Sequence, residues 1–128
     1  MEYYMTKTVD MSYDDAIEKV SEELKKVGFG ILTTIDVKST LKNKLDVDFQ
    51  KYMILGACNP SLAHSALQAE IEIGLLLPCN VIVYEEDDKT VVSFLNPEIM
   101  VNVAEDSEAL TEVSSKAKEL LTEVYNNI

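Results

Sequence analysis

Apolar residues recur every three or four positions at two places in this chain, near its start (Ala16, Ile17, Val20, Leu24, Val27) and near its end (Leu110, Val113, Ala117, Leu120, Leu121, Val124). That period puts each set on one side of an α-helix and turns the other side to water. Between them the pattern changes to short apolar runs, FGILTTIDV, YMILGAC, NVIVYEE and TVVSFL, rich in the β-branched and aromatic residues that suit a pleated surface. With Tyr3 to Val9 added, these make about five strands beside two long one-sided helices. The expected fold class is therefore α+β: a single-layer, mainly antiparallel sheet packed against two long amphipathic helices, with short helices besides. A chain of 128 residues fits one domain, spanning 1–128.

Local signals place the ends of these elements. Ser12 can cap the first helix and Asp14 and Asp15 suit its positive end, while Lys25 and Lys26 suit the negative end before Gly28. Phe29 to Val37 reads as a strand, Ser39 to Leu45 as a short helix, and Tyr52 to Cys58 as a strand. Asn59-Pro60 then starts a helix to Glu70, because Asn caps and Pro at the first helical position lacks only an N–H that would go unpaired. Asn80 to Glu86 and Thr90 to Leu95 form a hairpin about the acidic turn Glu85 to Lys89, and the last helix runs from Ser107 to Tyr125. The longest apolar stretch, Ile71 to Val83, is interrupted by Glu72, Pro78 and Asn80 and falls short of the ~20 residues that span a bilayer. It reads as buried core.

Eleven Lys+Arg against 23 Asp+Glu give a net charge of −12. A chain so acidic repels phosphate backbones and anionic lipid, which excludes nucleic acid and membrane surfaces as partners. The acids lie on helix faces and turns (Asp14, Asp15, Glu22, Glu23, Glu85 to Asp88, Glu105 to Glu112), the pattern of a solvated surface. One local basic region, Lys38, Lys42, Lys44 and Lys51, reads as a solvated helix face ahead of an anion site. The first residues, MEYYMTKTVDM, carry no basic region followed by an apolar run, so a cytoplasmic protein is expected.

Both cysteines and the only histidine fall between Ile54 and Asn80. Cys58 precedes the Asn59-Pro60 helix start, where unpaired N–H groups favour a thiolate if the sulfur points at them. His64 lies in the second turn of that helix, and Cys79 follows Pro78. The spacing C-x5-H-x14-C lacks the close pairs of zinc fingers and ribbons, and three soft ligands would need an acid or water to complete a metal site. A disulfide would need Cα atoms within about 7 Å, and there is no C-x-x-C. The plainest reading makes each cysteine a small apolar residue and His64 an ordinary surface or core group. No G-x-S-x-G, phosphate-cradling loop or H-E-x-x-H occurs, and Cys/His catalysis would require His64 to reach Cys58.

The words GFGILTTIDVKSTLKNKLDVDF, YMILGACNPSLAHSAL and EIGLLLPCNVIVYEE, in that order, resemble the bacterial and archaeal family called domain of unknown function 302, over nearly the whole chain. The resemblance implies a small α+β domain with an antiparallel sheet and helices on one side, commonly a homodimer, with no established activity. The matching positions are Gly28, Gly30, Thr33, Asp36, Cys58, Asn59, Pro60, Ala63, Leu67, Pro78, Cys79 and Asn80. Local physics accounts for several: glycine tolerates positive φ near a helix end, Asn-Pro fixes a helix entry, and Pro78 stops the preceding segment. The run Ile73 to Leu77 is either core or part of a dimer face.

Three functions follow as expectations. The first is a homodimeric binding module whose pocket near Cys58, Asn59, His64, Cys79 and Asn80 holds a small ligand or a thiophilic metal. The second is a thiol-dependent enzyme or redox protein using Cys58, and the third a structural or interaction protein whose motif words serve folding and dimerisation. The balance leans away from an enzyme, no residue is assigned to catalysis, and no cofactor is assigned.

Overall fold

The computed structural model describes residues 2–103 and 107–128. Strand β1 (Tyr4–Val9) leads to Ser12, whose hydroxyl accepts the Asp15 N–H at 3.1 Å and opens helix α1 (Tyr13–Lys26). The helix stops at Gly28, whose φ of +86° is a left-handed conformation that costs glycine nothing. Ala16, Val20 and Leu24 are buried as the period requires, and Ile17 and Val27 are half-buried. Glu23 departs from its expected place in water. It is only 6% exposed, with Lys26 at 2.9 Å and Lys19 at 3.6 Å neutralising it. The hydrogen bond from Lys26 holds its carboxyl below the usual range.

Strand β2 (Gly30–Asp36) runs straight into α2 (Val37–Leu45), which starts earlier than Ser39 because the Asp36 carboxylate accepts the Ser39 N–H at 3.0 Å. Helix α2 buries none of its residues. Strand β3 (Tyr52–Cys58) is followed by α3 (Pro60–Ala69), a 3-10 segment at Ile71–Leu76, and the hairpin of β4 (Cys79–Glu86) and β5 (Lys89–Leu95). Asp87 and Asp88, at φ 52° and 63°, make the two-residue hairpin turn with both centres left-handed, the form whose twist matches the strands. A short helix α4 (Ile99–Val103) has no counterpart in the sequence pattern, being too short for a helical period to register. Helix α5 (Glu108–Asn127) begins where the Ser107 hydroxyl accepts the Leu110 N–H at 3.1 Å. Glu105 and Asp106, assigned to the acidic surface, lie outside the described residues.

The strands form one antiparallel sheet in the order β1-β5-β4-β3-β2, with a bulge in β2 between Ile31 and Thr33. Alternation sends Leu55, Val81, Val83, Val92 and Phe94 to one face, where they meet Val20 and Leu24 of α1 and Ala117, Leu121 and Val124 of α5. Each of these large side chains contributes about 1.5–3 kcal/mol by leaving water. A smaller cluster, Ala66, Ile73, Met100, Leu110 and Val113, joins α3, the 3-10 segment, α4 and α5.

The stretch Ile71 to Val83 is not uniformly core. Ile73 is 2% exposed but Ile71 is 73% and Leu75 83% exposed, because the 3-10 segment turns every three residues and can seat only one side of itself. Among the described residues no helix is long and apolar enough to cross a membrane.

Candidate functional site

At one end of the sheet, β3 gives way to α3 through Cys58 and Asn59. Asn59 is the cap: its Oδ1 accepts the Leu62 N–H at 3.3 Å, and its Nδ2 donates to the Val27 carbonyl at 3.5 Å. One side chain thus closes the start of α3 and ties it to the end of α1. Ala57 pairs with Cys79 in the ladder, so Cys58 and Cys79 sit on adjoining positions of neighbouring strands, both as free thiols.

Cys58, Asn59 and Cys79 line a crevice that α3 closes with Leu62 and Ala66 and that Met100 and Val113 reach from the far side. Its cavity is about 20 Å³, room for about one water molecule. Cys58 is half-buried, while Cys79 is 7% exposed. Burial, and then the neighbouring Cys58, push the Cys79 thiol up to about 11, so it stays protonated at neutral pH. A buried neutral thiol of this kind is a packing group and not a nucleophile.

The other two residues expected near these cysteines lie elsewhere. His64 is exposed on α3 and is absent from the wall of the crevice that Cys58 lines. Asn80 is exposed on the opposite face of β4, across from Gly56. Strand alternation explains the separation: successive residues Cys79 and Asn80 cannot serve the same face. Among the described residues no group of three or more His, Cys, Asp or Glu could hold a metal ion. The remaining crevice residues, which the sequence did not assign to a site, are apolar. Leu62, Ala63 and Ala66 recur at helical spacing and were findable as a stripe, whereas Met100 and Val113 arrive from remote segments.

The words of the central motif meet one another here. A Cβ added to Gly28 would stand 3.1 Å from Asn59 Nδ2, and one added to Gly56 would collide with Thr33 Oγ1 and approach Pro78 Cγ to 2.9 Å. The basic region is largely self-satisfied: Lys42 pairs with Asp46 at 2.8 Å and Asp48 at 3.5 Å, and Lys38 donates to the Phe49 carbonyl at 2.9 Å. Those carboxylates compete with any anion.

Residues 5–128 match the domain of unknown function DUF302. The chain belongs to that family. A solved structure, an uncharacterized conserved DUF302 protein from Bacillus stearothermophilus, is similar at 29% sequence identity and a TM-score of 0.90, over 99% of this chain and 98% of the other. No curated protein matches the chain. Gly28 against Asn59, and Gly56 against Thr33 and Pro78, are the close approaches at this end of the sheet.

Proposed function

We propose that this DUF302 protein is a homodimeric binding module whose site is the crevice at the start of α3, with Cys58 and Cys79 facing the occupant and Asn59 fixing its mouth. One observation carries the reading: Cys58 and Cys79, the two free cysteines, stand at the ends of neighbouring strands and are both among the residues that line the same apolar crevice. Its volume of about 20 Å³ limits the occupant to something near the size of a water molecule. A thiophilic ion that accepts two-coordination, such as Cu(I), fits that limit, since soft thiolates select soft metals, whereas Zn(II) would need further ligands besides the two sulfurs. A drug-sized organic ligand, which takes ~300 Å³ or more, does not fit unless Leu62 and Met100 move aside. Metal binding would have to displace the proton that burial keeps on Cys79, so uptake should strengthen as pH rises.

A second reading has its own support. The contacts of Gly28 with Asn59 and of Gly56 with Thr33 and Pro78 give the motif words a packing role that needs no occupant. Catalysis by Cys58 finds less support, with His64 exposed and absent from the crevice wall. Native mass spectrometry of the protein purified without a tag from its host separates the readings. Extra mass of a single ion, lost in Cys58→Ser and in Cys79→Ser, is the expected result. A spectrum with no added mass in wild type, and unchanged after incubation with Cu(I) or Zn(II), would overturn the binding reading and leave the packing role.

A further inference from the structure

The sheet has a second face, turned away from α1 and α5. Its central row across the five strands is Thr6–Ser93–Ile82–Ile54–Ile35. The rows on either side, from Tyr4 to Thr33 and from Thr8 to Tyr52, hold no charged side chain either. In a chain with 27% charged residues and a net charge of −12, a continuous neutral surface of this kind is a departure from the rest of the molecule. Ile35, Ile54, Ile82, Tyr4 and Tyr52 give it apolar area among the uncharged polar groups of Thr6, Thr8, Thr33, Asn80 and Ser93. Ile35 is 47% exposed, Tyr4 40%, and Leu32, in the bulge at its edge, 67%, while Ile54 and Ile82 are half-buried and Ser93 is buried. Helix α2, beside β2 and β3, buries none of its own residues.

We infer that this neutral sheet face is the surface on which a second copy of the chain packs, face to face about a two-fold axis. The inference rests on the homodimer reading above and adds the surface. Area supports it. Five strands at ~4.8 Å spacing and about six residues along each at ~3.4 Å cover roughly 500 Å² in projection, so two copies bury about 1,000 Å². That reaches the ~1,000 Å² at which specific association begins. Charge selects the occupant: two bodies of −12 repel through their acidic surfaces and can approach closely only through faces that bear no charge. A basic partner would be drawn to the acids instead. Symmetry then suits the surface to itself, because a two-fold through the central row lays Ile54 and Ile82 of one copy against the same residues of the other, as in a sandwich of two sheets ~10 Å apart. The competing apolar surface, Ile71 and Leu75 on the 3-10 segment, offers two exposed side chains flanked by Glu70 and Glu72 and is too small for the task.

Sedimentation equilibrium on the whole chain tests the assignment. Wild type is expected at the mass of two 14.3 kDa copies. Ile35→Lys and Ile82→Lys each place a charge twice in the contact and are expected to weaken association at least about a hundredfold, with circular dichroism unchanged. Ile35 lies exposed on an edge strand, so its lysine is tolerated even if Ile82→Lys unfolds. Leu75→Lys should remain dimeric. A wild-type dimer that survives both isoleucine changes, or falls apart with Leu75→Lys, overturns this surface and leaves the homodimer standing. A wild-type monomer at high micromolar concentration overturns both.

Discussion

Gly28 lies against Asn59: at φ +86° it brings the end of α1 so close that an added Cβ would stand 3.1 Å from Asn59 Nδ2, the amide that donates to the Val27 carbonyl. The helix end and the helix start therefore hold one another. Gly28→Ala should destabilise by about 1–2 kcal/mol, from the left-handed backbone and the crowding together. Asn59→Ala loses the cap of α3 and should cost about 1 kcal/mol, somewhat more with the bond to Val27 gone. Urea denaturation of the two single variants and the double variant checks this, with the expectation that the two costs do not add.

Gly56 faces a harder limit, because its Cβ would run into Thr33 Oγ1 as well as approaching Pro78 Cγ at 2.9 Å. Gly56→Ala is expected to cost about 2–3 kcal/mol through overpacking. Adding Thr33→Ala removes the hydroxyl in the way and should recover part of the loss, read as a rise in melting temperature of the double variant over Gly56→Ala.

The raised Cys79 thiol makes stability fall on the alkaline side. Above about pH 8.5 the unfolded chain releases this proton, while the native state keeps it until about pH 11, so the native state loses ground across that window. The full effect is about 3 kcal/mol. Cys79→Ala should flatten the alkaline limb of stability against pH, whatever its cost at pH 7. Under native conditions iodoacetamide should modify the half-buried Cys58 and leave Cys79 untouched until the protein unfolds.

Glu23 sets the acid side. Its folded pKa is lowered by the Lys26 hydrogen bond, so its contribution is present above the unfolded carboxylate range and disappears as pH falls through the lower folded value. Glu23→Gln is expected to make unfolding less steep with falling pH below about 4.5, measured by circular dichroism at fixed denaturant.

Ser114 on α5 is fully buried, and its hydroxyl has no hydrogen-bond partner among the described residues. Removing an unsatisfied buried hydroxyl and installing a better helix former should leave stability unchanged or raise it by about 1 kcal/mol. A thermal melt of Ser114→Ala showing a clear loss would mean the hydroxyl has a partner after all.

The helices and strands were legible because each obeys a local rule. Ala16, Val20 and Leu24 keep the helical period, the β-branched runs keep the period of two, and Ser12, Asn59 and Ser107 cap helices where their short polar side chains stand. Glu23 was misplaced since its burial depends on Lys19 and Lys26 folding over it, and α4 was missed because five residues show no period.

What the sequence determined by itself was the α+β class, the order of the elements, and the presence of Cys58, Asn59 and Cys79 near one helix start, all of them consequences of neighbours along the chain. Only the tertiary structure decided that β3 and β4 pair so as to bring those three to one crevice, that the crevice admits little more than a water molecule, and that His64 and Asn80 lie outside it. The reason is that register and side-chain direction are set by how strands far apart in sequence align, and a shift of one residue moves a side chain to the opposite face. The same alignment gathers Thr6, Ser93, Ile82, Ile54 and Ile35 into one neutral row that no local pattern reveals.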